Sequence, residues 1–543
     1  MGQGAALIGA GLRTMLARRT RSLSDLNHWG AGARRIQGEQ LSWLVRHASE
    51  TIFGRDHDFA GLFGEDSAGV VNAFRDRVPI QTYDDLLPLL SRMREQGEPD
   101  VTWPGLVRDW AQTSGTTSGD KFIPVSKEML RHNRKASYDV FANAMRFGVD
   151  LPDVFSGKLL FLGGSTDVVE NRHGVRTGDL SGIVTSLIRW PISAVYMPGK
   201  DIALMSDWPV KIDRMAERCL DADIRWIAGM ASWSLVLMER MVELAHERGR
   251  PERTLRELWP SLRIFVHGGV KYTPFERRVR QMWSGSPDGD DIPTRLEVYA
   301  ASEGFIAVQD TPGDPGLRLN LDHRIFYEFV PLEEIDSENP SAFTCDEVEK
   351  GQRYVVVMST CAGLWRYIIG DVVEFDTIPP DGPPRLRIVG RHRHFINAFG
   401  ENLIIEHIEN AVVDALKTLP SDDIRIGEFT AAPVYPGEGR RAGLELAVEW
   451  EGDAALADRF SQAVDESLKS QNVDYGVKRS GDRGMAPPTI TTLPLGSFHR
   501  WLESRGKLGG QHKCPRCANH REIIDSVINI GRGNNRPLND VHS

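Results

Sequence analysis

Apolar residues recur at helical spacing through residues 40–100, in "LSWLVRHASETIF" and "YDDLLPLLSRMRE", and predict a helical N-terminal stretch. "FIPV" then reads as a short extended segment. "SKEMLRHNRKASYDVFANAMRFG" reads as a long helix with Ser126 as its N-cap. Beyond it strand-like runs, glycine turns and helices alternate: "KLLFLGG", "IRWIAGM" before "SWSLVLMERMVELAHERG", and "LRIFVHGG" before "TPFERRVRQMW". That alternation predicts an α/β domain whose ligand groups sit at strand ends. From Arg295 the pattern turns strand-rich, in "RLEVYAASEGFIAV", "RIFYEFV", "RYVVVMS", "DVVEF" and "RLRIVG". The loop "IPPDGPP" (Ile378–Pro384) interrupts it shortly before a second unit. From about Arg391 come a helix "IIEHIENAVVDALKTL", strands "IRIGEFTAAPV" and "GLELAVEW", and a helix from Ala454 to Lys469. The expectation is a large N-terminal α/β domain over 1–390 and a small α+β domain over 391–543, about 150 residues and an ordinary domain size. No internal repeat is apparent.

Composition narrows the function classes. A chain of 543 residues exceeds what one hydrophobic core usually serves, and 41% hydrophobic with 26% charged residues is an ordinary globular balance. The formal charge of −10 opposes general nucleic-acid binding, which needs a basic surface. No apolar run approaches the roughly 18–20 residues that span a bilayer, so no membrane insertion is expected. "MGQGAALIGAGLRTMLARRTRS" places a short apolar run before its arginines, the reverse of a secretory signal, and Ala6 stands where myristoylation wants Ser or Thr. It reads as a basic amphipathic arm. Five cysteines (Cys219, Cys345, Cys361, Cys514, Cys517) form an odd, sparse set that suits a reducing cytoplasm.

The candidate chemistry begins with "AQTSGTTSGDKFIPVS" (Ala111–Ser126). It fails the Walker A spacing, because three residues separate Gly115 from Gly119 and Phe122 follows Lys121. Its chemistry is still that of a phosphate cradle: glycines bare the backbone N–H groups, Ser114, Thr116 and Thr117 add hydroxyl donors, and Lys121 adds charge. A supple surface turn has the same composition. "VYAASEGF" presents Ser302 and Glu303 at a strand end, where a carboxylate can hold Mg²⁺ against phosphate oxygens or simply be a solvated loop residue. "GLWRYIIGDVVEF" puts Asp371 at a Gly-Asp turn, suited to a ribose diol but common without a ligand. Gly390–Arg391 follow at the domain join. In "HKCPRCANH", His512, Cys514, Cys517 and His520 suggest zinc, although four ligands within nine residues are cramped. Leu187, Trp190, Tyr196, Met230 and Trp233 are candidate walls of an apolar pocket, or plain core.

The order of loop, Tyr-x-x-Ser-Glu, Tyr-x-x-Gly-Asp and Gly-Arg resembles the adenylate-forming superfamily of acyl-CoA synthetases, adenylation domains and luciferases. "TSGTTSGDK", "YAASE" and "RYIIGD" more closely resemble the nucleotide motifs of the Gretchen Hagen family, the auxin-responsive acyl acid amido synthetases. The tail "LGSFHRWLESRGKLGGQHKCPRC" is similar to that family's C-terminal segment, so the resemblance runs from about Gln112 to Cys517. It implies the adenylate-forming fold, with ATP and Mg²⁺ as cofactors. It further implies that Ser114, Gly115, Thr116 and Thr117 embrace the phosphates and Lys121 closes the loop. Gly268 and Gly269 would line adenine, Tyr299 would stack near the base, Ser302 would touch phosphate and Glu303 would bind the metal. Asp371 would hold the ribose beside Arg391 at the hinge. Lys513, carried by a mobile small domain, would neutralise charge during adenylation.

Two departures stand out: Ala301–Ser302 offers one hydroxyl where relatives often have two, and His392 and His394 have no assigned role. The implied reaction joins a small carboxylic acid, through acyl-AMP, to an amine such as an amino acid. An acyl-CoA ligase with a thiol acceptor, a non-catalytic nucleotide-binding protein and a zinc-binding interaction protein are the alternatives these residues leave open. Nothing in them selects a particular acid or amine.

Overall fold

The computed structural model describes residues 2–533, except 114–120, 164–167, 187, 190–191, 206–207, 270–271, 393–394, 397–402, 420–423, 435–442, 454, 473–474, 477–478, 480–484, 507–512 and 519. The chain divides into two compact units, one of Met1–Ile369, Val373–Arg387 and Gly509–Gln511, the other of Gly370–Val372, Ile388–Leu508 and His512–Ser543.

The larger unit is built on an eleven-stranded sheet. Its strands run in the order Ile325–Pro331, Arg353–Thr360, Tyr367–Thr377, Arg385–Arg391, Leu317–Leu319, Gly304–Gln309, Arg295–Ala301, Ile264–Gly268, Ile224–Gly229, Lys158–Phe161 and Tyr196–Met197. The last five are parallel. They are short, nearly continuous apolar runs, and the helices Ala231–Glu247 and Thr273–Ser284 return the chain between them, as the alternating pattern predicts. The period-two alternation of side chains feeds two separate cores. Trp226, Ile264 and Val266 pack on one face with Phe141 and Phe155, while Ile227 and Phe265 pack on the other with Met238 and Met241. "RLEVYAASEGFIAV" turns at the small residues as expected: Arg295–Ala301 and Gly304–Gln309 form an antiparallel hairpin that turns through Ser302 and Glu303. "IPPDGPP" is the link between two neighbouring strands of this sheet rather than an interdomain break.

A four-stranded sheet carries the opening loop. Asp109–Thr113 and Lys121–Val125 pair antiparallel with Thr113 opposite Lys121, so the two ends of the 114–120 segment are clamped together. The helix Lys127–Arg146 follows directly, and the Ser126 hydroxyl accepts the Met129 N–H at 2.9 Å as its cap. The N-terminus departs from the expected arm. The helix Gly2–Leu23 is docked: Leu16 and Leu23 are buried, and a Cβ on Gly9 would lie 2.6 Å from the Leu151 carbonyl. Arg19 bonds both Asp139 and Asp322.

In the smaller unit Arg425–Val434 and Gly443–Glu451 pair antiparallel, and Thr489–Leu493 joins the latter in parallel. Ala431, Leu446 and Val448 face the helices Ile405–Lys417 and Ala455–Gln471, while Ala432 and Ala447 face Ser497–Ser504 and Glu522–Gly531. Alternation along each strand again covers both faces with helices. Among the described residues no helix is long and apolar enough to cross a membrane.

Candidate active site

In the larger unit the expected residues collect at strand ends. Gly268 closes its strand where a Cβ would meet the Val298 carbonyl at 2.2 Å, so only glycine allows the two strands to pair there. Gly269 follows with φ +77°, the left-handed conformation that glycine adopts without strain. On the next strand Ser302 and Glu303 occupy the hairpin turn, and both are buried. Tyr299 is also buried, at 5% exposure, and its ring belongs to the main hydrophobic core; this placement gives no support to the expected stacking on a base. Lys121 is half-buried at the close of the loop hairpin. Ser114, Gly115, Thr116 and Thr117 lie outside the described residues.

The smaller unit gathers the other candidates. The Arg391 guanidinium meets the Asp371 carboxylate at 2.9 Å. His392 is no solvated surface histidine. It is buried, its backbone N–H donates to the Gly370 carbonyl at 2.9 Å, and its ring packs against Gly370, whose φ is +94°. A side chain at 370 would both strain that turn and strike the imidazole, so His392 helps shape the Gly-Asp turn that presents Asp371. His394 lies outside the described residues. Lys513 is half-buried; burial, with Arg516 and Arg391 nearby and only partly offset by Glu428 and Asp371, pushes its ammonium down to about 8.

The segment carrying Lys513 is pinned to the strand Arg425–Val434. The Ala431 N–H donates to the Arg516 carbonyl at 2.9 Å, the Ala518 N–H to the Ala431 carbonyl at 3.0 Å, and the Thr430 hydroxyl to the Pro515 carbonyl at 2.6 Å. Arg516 binds Glu428 at 2.5 Å and lies over the Phe429 ring. The same pinning disposes of the zinc reading. Cys514 packs into the cluster on one face of the small sheet and Cys517 into the cluster on the other, so the pair cannot converge on one ion. His512 lies outside the described residues. The described residues do hold a cluster of metal-ligand type, Asp139, Asp322 and His323. Arg19 and Lys135 already neutralise its carboxylates.

Of the pocket candidates, Leu187 and Trp190 lie outside the described residues. Tyr196 is buried on the edge strand, Met230 precedes the helix Ala231–Glu247, and Trp233 is half-buried on its first turn. A nearby polar junction has no counterpart in the sequence reading. Lys211 is buried and donates to the carbonyls of Gly163 (3.1 Å) and Ala203 (2.8 Å), with burial pushing it down to about 8 against the pull of Asp179. On an amphipathic helix such as Trp208–Cys219 a lysine reads as solvent-facing, so no signal pointed to it.

A large α/β unit followed by a small unit with helices on both faces of its sheet is the architecture of the adenylate-forming enzymes. The solved structure of a GH3.15 acyl acid amido synthetase superposes with a TM-score of 0.74 at 18% identity, covering 94% of this chain and 96% of that one. A 2-hydroxyisobutyryl-CoA ligase in its postadenylation state gives a TM-score of 0.55 at 13% identity, covering 92% and 91%. The profile of the GH3 family N-terminal domain matches residues 22–195, that of the central domain 319–391 and that of the C-terminal domain 406–522. The chain belongs to the GH3 family. It is similar to an indole-3-acetic acid-amido synthetase, GH3.3, of Arabidopsis thaliana, at 22% identity over 87% of this chain and 89% of the relative. It is also similar to a jasmonoyl–L-amino acid synthetase, JAR4, of Nicotiana attenuata, at 25% identity over 92% and 93%.

Proposed function

We propose that the protein is an ATP-dependent ligase that adenylates a small carboxylic acid and passes the acyl group to an amine, probed first with amino acids, forming an amide. The observation that carries this reading is the pairing of GH3 family membership, matched in its N-terminal, central and C-terminal domains, with a strand-end cluster of Gly268, Gly269, Ser302 and Glu303 and a second set of Asp371, Arg391 and Lys513. A carboxylate is a poor acyl donor because its leaving group would be oxide. Attack on the α-phosphorus of ATP, with loss of pyrophosphate, gives it a good one.

In this reading the 114–117 loop and Lys121 hold the phosphates and Asp371 holds the ribose. The small unit is mobile and carries Lys513 to the adenylation step, where it offsets the charge that builds on the phosphorus. The buried carboxylate of Glu303 at its turn fits Mg²⁺, which binds one or two protein carboxylates together with substrate phosphates. Held there, the ion would supply charge neutralisation at the phosphates. No covalent enzyme nucleophile is required, and closure of the site keeps water from the mixed anhydride. The five cysteines are buried free thiols, the state a reducing compartment such as the cytoplasm maintains.

The test is a mass-spectrometric screen of carboxylic acids against the twenty amino acids, and separately against CoA, with ATP and Mg²⁺. Amide products with AMP and pyrophosphate are expected. Thioesters formed with CoA and no amide with any amino acid would overturn the acceptor assignment.

A further inference from the structure

The lysine that closes the opening loop sits between two tyrosines from distant parts of the larger unit. Its Nζ lies 5.4 Å from the centre of the Tyr83 ring, within cation–π range, and meets Tyr367 at the hydroxyl end, 5.9 Å from that ring's centre. It also lies 3.5 Å from the Tyr367 hydroxyl oxygen. The Tyr83 hydroxyl oxygen accepts the backbone N–H of Phe122, the next residue, at 2.8 Å. Tyr83 therefore touches both the side chain of the loop lysine and the backbone immediately after it. Burial pushes the Tyr83 phenol up, so it stays neutral at any physiological pH.

Neither ring reaches that place by its own helix or strand alone. Gln81 pairs as a parallel bridge with Tyr367: the Gln81 N–H donates to the Arg366 carbonyl, the Ile368 N–H to the Gln81 carbonyl, and the Gln81 side-chain amide to the Trp365 carbonyl, each at 2.9 Å. Thr82 then starts the helix Tyr83–Glu95 with a reciprocal capping box to Asp85. The bridge and the cap together fix the first residue of the helix beside the first residue of the strand that continues to Asp371.

We propose that Tyr83 and Tyr367 are positioning residues for adenylation, forming a seat that orients the Lys121 ammonium, Tyr83 through its ring and Tyr367 through its hydroxyl. This rests on the reading of Lys121 as a phosphate ligand. The physical advantage over a carboxylate seat is that neither a ring face nor a neutral hydroxyl brings a negative charge of its own to compete with phosphate for the lysine. The seat also explains why a tyrosine at the start of an N-terminal helix, far in sequence from every nucleotide motif, stands against this hairpin.

The test uses the full chain with Phe, monofluoro-, difluoro- and trifluoro-Phe installed at position 83, a series that keeps shape and withdraws charge from the ring face. Acid-dependent pyrophosphate release is expected to fall progressively, by about tenfold across the series. In the Lys121→Ala background the same series should change the rate less than about twofold, because coupled residues are not additive. A flat series in the wild-type background, or the same decline without Lys121, overturns the seat. Lys121→Ala as fast as wild type would instead refute the reading of Lys121 as a phosphate ligand. A readout independent of turnover is the ring-current upfield shift of the Lys121 ε-protons in protein labelled at lysine. It should be present in wild type and largely lost in Tyr83→Leu, and its absence from wild type overturns the proposal whatever reaction the protein catalyses.

Discussion

Arg19→Met removes the centre of a largely buried charge cluster in the larger unit. The Arg19 guanidinium donates to both Asp139 oxygens at 2.8 and 2.6 Å and to both Asp322 oxygens at 2.9 and 3.0 Å. Lys135 adds a bond to Asp322 at 2.7 Å, and His323 contacts Asp139 at 3.0 Å. Burial by itself raises the carboxyls of both aspartates. Arg19 and His323 outweigh it at Asp139, and His323, Arg19 and Lys135 do so at Asp322, so both end below the usual carboxylate range. Without Arg19 the buried Asp139 keeps only His323, and the cost of leaving a buried carboxylate so poorly matched is about 3 kcal/mol at neutral pH.

The sign of the pH dependence follows. A carboxyl depressed in the folded state contributes stability that is fully present above its unfolded value of about 3.9 and is lost as pH falls through its folded value. The gap between wild type and Arg19→Met should therefore be widest near pH 7 and narrow as pH drops below about 4. Urea unfolding followed at several pH values between 7 and 3.5 measures it. A gap under about 1 kcal/mol at pH 7, the range of an exposed ion pair, would refute the reasoning, as would a gap that does not shrink in acid. The network also bears on the site. Asp139 lies on the helix that follows the opening loop, and Asn320, two residues before Asp322, donates to the carbonyls of Ile306 (2.8 Å) and Phe305 (3.0 Å) just behind the Ser302–Glu303 turn.

Four further outcomes are expected. Lys513→Ala should slow acyl-AMP formation while ATP binding, measured directly, stays near wild type; an equal loss of nucleotide affinity contradicts that division. With Lys513 at about 8, adenylation in the wild type should decline as pH rises through that value, because the ammonium is lost, and Lys513→Ala should flatten that limb. Asp371→Ala should weaken AMP binding by roughly 10- to 100-fold, the range of hydrogen bonds to a charged group, and unchanged affinity removes the ribose assignment. Gly268→Ala should destabilise the protein or force the Val298 strand aside, because its Cβ would lie 2.2 Å from a backbone oxygen; a wild-type melting temperature argues against that packing.

Much of the architecture was legible because the core strands of the parallel region are short apolar runs that alternate with helices. Ser126 was legible as an N-cap, and the parallel order of the strands bearing "KLLF", "IRWIAG" and "IFVHG" follows from that alternation. The strand end at Ser302–Glu303 was legible from its small residues, but the immediate antiparallel return was harder, since Ala301 and Gly304 carry little pattern. The N-terminal helix was misread because its arginines look solvent-directed until Asp139 and Asp322, more than a hundred residues away, are seen to receive Arg19. His392, Lys211 and Tyr83 were illegible for the same reason. Each acts through partners that only the tertiary fold supplies: a left-handed glycine, two backbone carbonyls, and a lysine on a strand distant in sequence. Motif order singled out Glu303 and Asp371 as candidates, but it could not show that Cys514 and Cys517 point into different cores.

The most direct measurement of the central claim is the phosphorus-31 NMR spectrum of the nucleotide products when the protein turns over with ATP, Mg²⁺ and an acid it accepts, with the amine supplied and then withheld. The account predicts AMP and pyrophosphate in the first case and, in the second, an enzyme-held acyl-adenylate whose formation reverses when pyrophosphate is added. ADP and inorganic phosphate as the products would contradict it.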